Sequence, residues 1–523
     1  MVASARDDDI TLADLLAGID TIEDFGGGVA SALGIRVQGL QLDSRKIAMG
    51  DLFLAVPGYG SGACDGRDYI EAAFGAGACA VVAERAGLSH FPIAQAPGPV
   101  IGIDNLGAEI SRIAGRFYAE PSHSLKVVGC TGSNGKTTCS HLLAQLYRGL
   151  QTNAGVIGTL GYGLSGDSLK PVGLTTPDAV SCQQILSELR QRGAGLVAME
   201  VSSHGLAQYR VEGISFHGAV FTNLSRDHLD YHGSMAEYSA AKQKLFARDE
   251  LQFAVLNAED DAAAAMASSL APGVDCYFYT TQAAVPQSVT AADGVVVRAK
   301  QIELSPRGIR ALVDSPWGQA ELHSSLIGRF NLSNLLAVIT SACADGLAFD
   351  EVVAAVGALR PVEGRMQLVS AGSEPAVLVD YAHTPDALEK ALLSLRQIEK
   401  NGSGGRVFCV FGCGGERDAG KRTQMAAIAE RYADIVVVTN DNPRGEDPAR
   451  IIDDIVRDMR CRPVIIEDRA EAIRYAVNHA EESDVIMLAG KGHEQYQLVG
   501  DQRLPFSDVA QARLALARRR ERQ

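Results

Sequence analysis

The sequence predicts an α/β protein of three domains, and three observations indicate this class. The chain has 523 residues, which is more than one hydrophobic core usually supports. Short apolar runs alternate with amphipathic helical patterns, as in βαβ units. A glycine-rich loop at residues 132–138 joins a predicted strand to a predicted helix. We expect a small α/β domain at 1–107, a central P-loop ATPase-like domain with a mostly parallel sheet at 108–359, and a C-terminal Rossmann-like domain at 360–523.

The first block contains three short β-like runs, at residues 39–42, 51–56 and 78–83. Helix-like segments lie between them, which favours a small α/β domain. Residues 58–66 are rich in glycine, and this composition predicts a loop.

The central block opens with a helical pattern at residues 110–118. Its β-like runs at 196–201, 218–222 and 253–256 are continuously apolar, as is typical of strands buried on both faces of a parallel sheet. Residues 277–326 instead alternate between apolar and polar side chains, which predicts antiparallel strands.

The third block has the βαβ pattern of a doubly wound parallel sheet. Its β-like runs are 376–379, 406–411, 434–439, 463–466 and 484–488. Ligands bind at the carboxyl ends of such strands. The segments that follow these strands carry many polar and charged side chains, at residues 380–383, 412–417, 440–444 and 490–494.

Composition and charge exclude several classes of protein. A net charge of −15 disfavours a nucleic-acid partner, because the protein would on average repel a polyanion. No apolar run reaches membrane-spanning length, and the first ten residues are acidic rather than signal-like. The ten cysteines are scattered without a CxxC pair, which fits buried thiols in a reducing compartment. We therefore expect a cytoplasmic protein without a nucleic-acid or membrane partner. Separately from this composition, we expect a monomer that acts on small molecules.

The glycine-rich loop predicts a nucleotide site. Its residues are Gly132, Ser133, Asn134, Gly135, Lys136, Thr137 and Thr138. Glycines allow close approach of the backbone, and the free N–H groups of the following helix face the anion. Lys136 would reach the terminal phosphates of ATP and Thr137 would meet Mg²⁺. The loop departs from the strict pattern because Cys130 stands five residues before Gly135. The alternative is a glycine turn with a chance lysine.

Three further residues of the central block are candidates with open alternatives. Glu200 ends an apolar run, where a phosphate-loop fold places a second Mg²⁺ contact, but it could be a helix-capping or surface glutamate. His228 lies in a segment dense in histidine and aspartate, although a lone histidine is usually structural or solvated. Composition alone would make Lys242 a lysine that extends from an apolar helix to solvent.

Several motifs in one order make the resemblance to a known family specific. They run LDSRKIAMGDLFLAVPG, GSNGKTT, MEVSSHGL, NLSRDHLDYHG, AAKQKLF, RFNLSN, EGRMQ, VDYAHTPDALEKAL, GCGGERDAGKR, DNPRGEDP and AGKGHEQYQ. This series resembles the Mur ligases, the cytoplasmic ATP-dependent enzymes that extend the peptide of the cell-wall precursor, and it covers nearly the whole chain.

The resemblance implies an amide ligase whose substrate carboxylate attacks the γ-phosphate of ATP. An amino acid then attacks the acyl phosphate, and a tetrahedral intermediate expels phosphate. Lys136, Lys242 and His228 match catalytic positions, and Thr137, Glu200 and His228 match Mg²⁺ positions. Lys242 matches a lysine that carries a CO₂-derived carbamate (N6-carboxylysine), which would bind or orient a second Mg²⁺. That modification needs the neutral amine, so the site must depress a pKa that starts at about 10.4.

Substrate-binding positions also carry over from the resemblance. The first domain would bind UDP, and the residues implied for the UDP-muramoyl-peptide are Leu42, Ser44, Tyr59, Gly60, Thr175, Thr176, Ser202, Gln208 and Arg210. Leu174 stands where some members have Asn. Those implied for the ATP base and ribose are Asn331, Arg365, Asp380 and His383, next to Tyr381. Asn331 could instead be a helix N-cap, and residues 380–383 only a βα turn.

The amino acid implied by the resemblance is meso-diaminopimelate. The residues that would bind it are Arg417, Asp441, Asn442, Pro443, Arg444, Gly490 and Glu494. Diaminopimelate differs from lysine by a carboxylate at its far end, which the fork of Arg444 can grip through two hydrogen bonds. Lysine would leave the guanidinium unpaired, at a cost of about 2–5 kcal/mol.

Three rival functions remain. A lysine-adding or polyglutamate-adding ligase would share the architecture, although the polyglutamate group would not need the first domain. A nucleotide-binding regulator, or an ATPase controlled by a partner, would lack ligase chemistry, and a P-loop kinase would leave a phosphorylated product. The sequence does not identify the general base for the incoming amine.

Overall fold

The computed structural model describes residues 10–19, 22–26, 32–59, 64–93, 96–284, 294–305, 308–370, 374–400 and 404–522. The described strands form three main sheets and a small hairpin. Each main sheet corresponds to one of the predicted blocks. None of the described helices is both long enough and apolar enough to cross a membrane.

The first sheet is formed by five strands in the order β1-β5-β4-β3-β2. They are β1 (Ile22–Gly26), β2 (Gly39–Gln41), β3 (Asp51–Ala55), β4 (Ala80–Glu84) and β5 (Val100–Ile103). All neighbours pair in parallel except β1, which is antiparallel to β5. Its helices are α1 (Leu12–Leu16), α2 (Ile70–Gly75) and α3 (Leu106–Phe117). The predicted boundary after residue 107 falls inside α3, whose apolar face packs with β2–β5 in one core cluster.

The central sheet has ten strands in the order β15-β14-β13-β12-β11-β10-β6-β9-β7-β8. They are β6 (Lys126–Thr131), β7 (Ala154–Gly158), β8 (Gly161–Leu164), β9 (Leu196–Glu200), β10 (Gly218–Phe221), β11 (Phe253–Asn257), β12 (Asp275–Thr280), β13 (Val295–Ser305), β14 (Gly308–Ser315) and β15 (Gly318–Ser324). The apolar runs predicted as buried strands are β9, β10 and β11, and every residue in these strands is buried. The antiparallel prediction is right for β13–β15 but wrong for β12, which pairs in parallel with both of its neighbours.

Helices cover both faces of the central sheet. They are α4 (Lys136–Gly149), α5 (Ala179–Gln191), α6 (Ser203–Ala207), α7 (Leu229–His232), α8 (Met235–Phe246), α9 (Ala263–Ala267), α10 (Arg329–Ala344) and α11 (Phe349–Val356). Helix α10 is the most enclosed of these, because nearly all of its side chains are buried. The cluster that contains α10 joins the central sheet to the C-terminal one, so one continuous apolar core spans the two domains.

The C-terminal sheet has the order β16-β17-β21-β18-β19-β20. Its strands are β16 (Gln367–Leu368), β17 (Ala376–Asp380), β18 (Val407–Phe411), β19 (Ile435–Val438), β20 (Val464–Ile465) and β21 (Val485–Ala489). Only β16 is antiparallel, as the Rossmann-like prediction allows. The hairpin is β22 (Tyr496–Val499) with β23 (Gln502–Pro505). The helices are α12 (Pro385–Lys400), α13 (Gly420–Tyr432), α14 (Pro448–Val456), α15 (Arg469–His479) and α16 (Asp508–Arg520).

A fully buried ion pair ties two of these helices to the sheet. The guanidinium of Arg469 on α15 donates to both carboxylate oxygens of Asp508 on α16, each at 2.7 Å. It also donates to the carbonyls of Ala489 at 2.9 Å and Asn440 at 3.4 Å. Neither side chain of the pair is exposed. Arg469 therefore anchors the ends of β19 and β21, where two candidate ligand loops begin.

We expect Asp508→Ala to lower the free energy of unfolding of the C-terminal domain by about 3–5 kcal/mol, because it leaves the buried Arg469 charge unpaired. The measurement is amide hydrogen exchange of β17 and β21. The control is Asp458→Ala, an exposed aspartate of the same domain, which should change stability by no more than about 0.5 kcal/mol. Equal protection of β21 in the two variants would contradict this account.

Candidate active site

The phosphate loop lies between β6 and α4, as the sequence predicts. Gly132 and Gly135 have φ of 147° and 89°, which is backbone that L side chains rarely adopt. A Cβ at Gly132 would overlap the hydroxyl of Thr222, so the loop packs too closely against the end of β10 for another residue. The Asn223 carbonyl accepts from the Ser133 amide at 2.8 Å, and the Asn223 side-chain oxygen accepts from the Asn134 amide at 3.0 Å.

Lys136 begins α4 with its ammonium turned back over the loop. Its nitrogen donates to the carbonyls of Gly132 and Ser133, at 2.7 and 2.8 Å. Burial lowers the pKa of Lys136, against the opposing attraction of Glu200 and Asp227. The two carbonyls are neutral and therefore offset the charge of Lys136 only in part. A triphosphate would supply the anionic partner that this ammonium lacks.

Glu200 is wholly buried at the end of β9, so the capping and surface alternatives are wrong. Its Oε2 accepts from the Thr137 hydroxyl at 2.9 Å and from the Thr159 hydroxyl at 3.1 Å. Its Oε1 accepts from the Thr159 amide at 2.9 Å. Thr159, in the turn between β7 and β8, is a site residue that no sequence motif indicated.

The oxygens around Thr137 fit a magnesium ion. A threonine hydroxyl beside a carboxylate, with substrate phosphates completing the shell, is the donor set that Mg²⁺ prefers in nucleotide sites. Within the described ranges, no group of three or more His, Cys, Asp or Glu side chains could hold a metal by itself. The ligands would thus come from Thr137, Glu200 and the nucleotide rather than from a closed protein cage.

Lys242 is buried rather than extended to solvent, so the composition-based interpretation is wrong. Its side chain is 1% exposed on α8, and its nitrogen lies 4.5 Å from the centroid of the Tyr238 ring. Burial, with repulsion from the Lys136 ammonium, lowers the pKa of Lys242 well below its usual range, and Asp227 opposes this only in part. The neutral amine that carbamate formation requires is therefore favoured here.

His228 lies beside this lysine, at the start of α7, with a left-handed φ of 54°. Burial lowers its pKa, opposed by the adjacent Asp227 and reinforced by Lys136 and Lys242. Its ring centroid is 4.8 Å from that of His204, whose pKa burial lowers to about 4. His204 was not among the predicted site residues, although it lies within the MEVSSHGL motif.

The predicted peptide-binding residues of the central domain converge next to Glu200. The Thr176 hydroxyl donates to the Glu200 carbonyl at 2.9 Å and to the Ser202 hydroxyl at 3.0 Å. The Thr175 and Thr159 hydroxyls are 3.0 Å apart. Arg210 donates to the Thr176 carbonyl at 2.7 Å and, through Nε, to the Gln208 side chain at 3.0 Å.

The first domain contributes at the edge of this group. Ser44 begins a short 3₁₀ turn next to half-buried Leu42, and the Asp43 carboxylate caps that turn. Tyr59 is half exposed, and its pKa is raised by burial and by the charges of Tyr231 and Tyr209, with Arg210 opposing. Gly60 lies outside the described residues.

A cavity of about 290 Å³ opens between the central and C-terminal domains, beside the phosphate loop. Predicted residues on its wall are Asn134, Gly135, Thr138, Arg365 and Asp380; unpredicted ones include Asn223, Asn257, Glu259, Arg329, Asn334 and Lys390. Asn223 follows β10, and Asn257 is the last residue of β11. Because ligands bind at the carboxyl ends of parallel strands, this rule could have identified both residues.

Asn331 and His383 are close to this cavity but do not line it. Asn331 is not a helix N-cap, because Gly328 holds that position, and its amide donates to the Ile327 carbonyl at 2.8 Å. Asn334, one turn later, is on the cavity wall. Nδ1 of His383 donates to the Tyr381 carbonyl at 2.8 Å.

Arg365 connects the phosphate loop to the C-terminal domain. Its Nη2 donates to the Thr137 hydroxyl at 3.3 Å, and its guanidinium lies 4.7 Å from the centroid of the Tyr381 ring. Asp380 holds the residue that follows Arg365, because its carboxylate accepts from the backbone amide of Met366 at 2.6 Å. Burial raises the pKa of Asp380. The side-chain nitrogen of Asn134 also makes a contact across the domains: it donates to the Asp386 carboxylate on α12 at 2.7 Å.

The residues predicted to bind the amino acid come together at the carboxyl edge of the C-terminal sheet. Arg444 donates through Nη1 to the Gly415 carbonyl at 2.9 Å, while its Nε and Nη2 form no hydrogen bond with any described residue. The side-chain nitrogen of Asn442 donates to Oε2 of Glu494 at 2.8 Å. Burial raises the pKa of Asp441, opposed by Arg469 and Lys491. Arg417 is exposed at the rim.

The hairpin β22–β23 holds this loop in place, and the sequence did not reveal it. The Arg444 amide donates to the Leu498 carbonyl at 3.0 Å, and the Leu498 amide donates to the Asn442 side chain at 3.0 Å. Gln497 donates to the Asp441 carbonyl at 2.6 Å. Pro443 lies buried between them.

Comparison with known proteins agrees with this arrangement. The family descriptions "Mur ligase family, catalytic domain", "Mur ligase middle domain" and "Mur ligase, glutamate ligase domain" match residues 36–118, 130–342 and 364–492. A relative from Coxiella burnetii is 46% identical over 92% of this chain and 96% of its own. The chain belongs to the Mur ligase family.

That Coxiella burnetii Mur ligase is named UDP-N-acetylmuramoyl-L-alanyl-D-glutamate–2,6-diaminopimelate ligase. A Pseudomonas aeruginosa relative of the same name is 46% identical over 92% of this chain and 95% of its own. A solved structure of that name is 32% identical, covers 98% of this chain and all of its own, and has a TM-score of 0.68. The Mur ligase MurF from Thermotoga maritima, solved with ADP, shares the fold at 16% identity and a TM-score of 0.61, over 93% of this chain and 98% of its own.

We expect Lys242 to take up CO₂ as a carbamate, because burial and the nearby Lys136 ammonium lower the pKa of its amine. Protein equilibrated with ¹³C-labelled bicarbonate should give a carbamate carbon resonance by NMR that is absent from Lys242→Met. Lys244→Met is the matched control, since Lys244 is exposed two residues along the same helix. A resonance that persists in Lys242→Met, or that disappears only in Lys244→Met, would contradict the assignment.

Proposed function

We propose that this protein joins meso-2,6-diaminopimelate to the γ-carboxyl of the D-glutamyl residue in UDP-N-acetylmuramoyl-L-alanyl-D-glutamate. ATP is converted to ADP and phosphate, and the product is a precursor of peptidoglycan. Relatives named for this reaction, at 44–47% identity over most of the chain, support the proposal. The ten free cysteines are consistent with a cytoplasmic site, and we propose that the protein acts as a monomer.

The first step brings together two anions, the D-glutamyl carboxylate and the triphosphate. The carboxylate oxygen attacks the γ-phosphorus, the bond to the β-γ bridging oxygen breaks, and ADP leaves. Lys136, Arg365 and the N-terminus of α4 would neutralise charge on the triphosphate. Arg210, with Thr176 and Ser202, would hold the peptide end on the other side of Glu200.

Magnesium would be held by Thr137 and Glu200, with His228 and carbamylated Lys242 at a second position. When bound, it supplies positive charge to the phosphate oxygens. The protein's own contribution is to fix these ligands: Thr159 holds both oxygens of Glu200, and Tyr238 covers Lys242.

In the second step the amine of diaminopimelate attacks the acyl carbon. The resulting tetrahedral intermediate collapses to the amide. Inorganic phosphate leaves with the electron pair of the cleaved C–O bond and carries away the proton that the amine nitrogen loses. The amino acid would be oriented at its far end, remote from the attacking amine, by Arg444, Asn442 and Glu494. Holding it in this way turns the attack into an intramolecular one.

The proposed choice of diaminopimelate over lysine rests on two nitrogens of the Arg444 guanidinium, Nε and Nη2. Its Nη1 is occupied by the Gly415 carbonyl, whereas Nε and Nη2 have no hydrogen-bond partner among the described residues. These two donors lie side by side on the guanidinium and match the two oxygens of a carboxylate. Lysine has no carboxylate at that end, so it would leave the donors unpaired.

We expect phosphate release that requires meso-diaminopimelate as well as UDP-N-acetylmuramoyl-L-alanyl-D-glutamate, with L-lysine inactive. In Arg444→Ala, kcat/KM for diaminopimelate should fall about 30-fold or more, because a buried charge-assisted pair is lost, while KM for ATP is unchanged. Arg450→Ala is the control, an exposed arginine six residues further on. The measurement is continuous phosphate release.

Each alternative result has a distinct meaning. Equal use of lysine would keep the ligase and remove the role of Arg444. Release that is independent of any amino acid would favour a regulator or partner-controlled ATPase. A stable phosphorylated product would indicate a kinase.

A further inference from the structure

Lys491 is a fully buried lysine between two of the proposed amino-acid-binding residues, and the proposed mechanism does not use it. It follows Gly490, and none of its surface is exposed. Its ammonium donates to the Asn442 side-chain oxygen at 3.0 Å and to Oε2 of Glu494 at 2.8 Å. A buried cation is retained only where its partners satisfy it, so this lysine and the two side chains form one unit.

The contacts of Lys491 fix which way the Asn442 amide points. An ammonium can only donate, and the Leu498 amide, 3.0 Å from the same oxygen, can only donate as well. The side of Asn442 that faces these two donors must therefore be its oxygen. Its nitrogen then points the other way. One N–H is bound to Glu494, and the second has no hydrogen-bond partner among the described residues, so it could donate to a substrate oxygen.

The same contacts divide the two oxygens of Glu494. Oε2 accepts from both Lys491 and Asn442, each at 2.8 Å. Oε1 has no hydrogen-bond partner in the part of the chain that the structure describes, and neither has the Gly490 carbonyl. One oxygen thus holds the carboxylate in place, and the other remains an acceptor for an ammonium group.

The charge of Lys491 also balances the site. Asp441 and Glu494 would otherwise be two carboxylates close together, since the Arg469 charge is already matched by Asp508. With Lys491 present, the loop offers donors from Asn442 and Arg444 beside two acceptors, Oε1 of Glu494 and the Gly490 carbonyl. That pattern is complementary to an amino acid end that carries one carboxylate and one ammonium.

We infer that Lys491 is a positioning residue that orients Asn442 and Glu494 toward the amino- and carboxylate-bearing end of the incoming amino acid. It does not touch the reacting atoms. The inference rests on the proposed function, because that function supplies the amino acid.

The test is Lys491→Met, which keeps the length and apolar stem of the side chain and removes its charge and donors. We expect kcat/KM for meso-diaminopimelate to fall between about tenfold and a hundredfold, mostly through KM, because Asn442 and Glu494 are no longer held. KM for ATP and for the nucleotide-sugar acceptor should stay within about twofold of wild type. Lys300→Met, an exposed lysine on β13, should leave all three unchanged.

A double-mutant cycle separates this role from general damage to the domain. If Lys491 acts through Asn442, the loss in Lys491→Met/Asn442→Ala is clearly smaller than the product of the two single losses. Multiplicative losses, or equal increases in KM for all three substrates, would overturn the inference. Lys491→Gln provides a second neutral variant, expected to show the same split in KM, should the methionine variant not fold.

Assays of the wild-type enzyme distinguish failure of the proposed role of Lys491 from failure of the proposed function. Phosphate release that depends on meso-diaminopimelate in wild type, with an unchanged KM in Lys491→Met, would reject the role of Lys491 alone. Absence of amino-acid-dependent release in wild type would reject the proposed function itself.

Discussion

The arrangement of the active site depends on the buried carboxylate of Glu200. One oxygen accepts from the hydroxyls of Thr137 and Thr159, the other from the Thr159 amide, and the backbone carbonyl accepts from Thr176. Through these bonds one residue joins the phosphate loop, the β7–β8 turn and the peptide-binding segment. A carboxylate with no exposed surface is costly to bury, and three donors offset that cost. A bound cation would displace part of this network rather than enter an empty space.

A second set of contacts links the nucleotide site to the amino-acid site across the domain boundary. Arg365 reaches Thr137 and lies over Tyr381, and the Tyr381 ring is 5.1 Å from that of His493, next to Glu494. Gly364 and Gly492 allow this packing, since a Cβ at either would collide with the opposing loop. The phosphate loop, the segment of residues 364–365 and the loop that follows β21 are therefore packed against one another through Arg365, Tyr381 and His493.

Local sequence patterns predicted the fold and the phosphate loop because both depend on short-range signals. Buried strands such as β9 and β10 are continuously apolar, and the loop of Gly132 to Thr138 needs glycines at fixed spacing. The burial of Lys242 was not predictable from its helix, because its cause is the packing of Tyr238 and neighbouring segments. The parallel pairing of β12 was also missed. Alternation of apolar and polar residues indicates which face of a strand is buried, but it does not indicate the direction of the neighbouring strand.

The amino-acid loop shows most clearly where sequence reasoning stops. The DNPR motif names Arg444, but the position of its guanidinium depends on a left-handed backbone, with φ of 53°. A non-glycine residue in that conformation costs about 1–2 kcal/mol, so the surrounding structure has to stabilise it.

The hairpin provides that stabilisation. The Arg444 amide donates to Leu498 at 3.0 Å, and its carbonyl accepts from the Gly500 amide at 2.7 Å, so both backbone groups are fixed by one element. These hydrogen bonds fix the backbone of Arg444, and the bond from Nη1 to the Gly415 carbonyl at 2.9 Å holds its guanidinium. Discrimination between two amino acids that differ by one carboxylate requires such a fixed donor, because a mobile guanidinium would find water or a carbonyl instead. Under the proposed function, the selectivity of the site therefore depends on the backbone of residues 496–505 as well as on the side chain of Arg444.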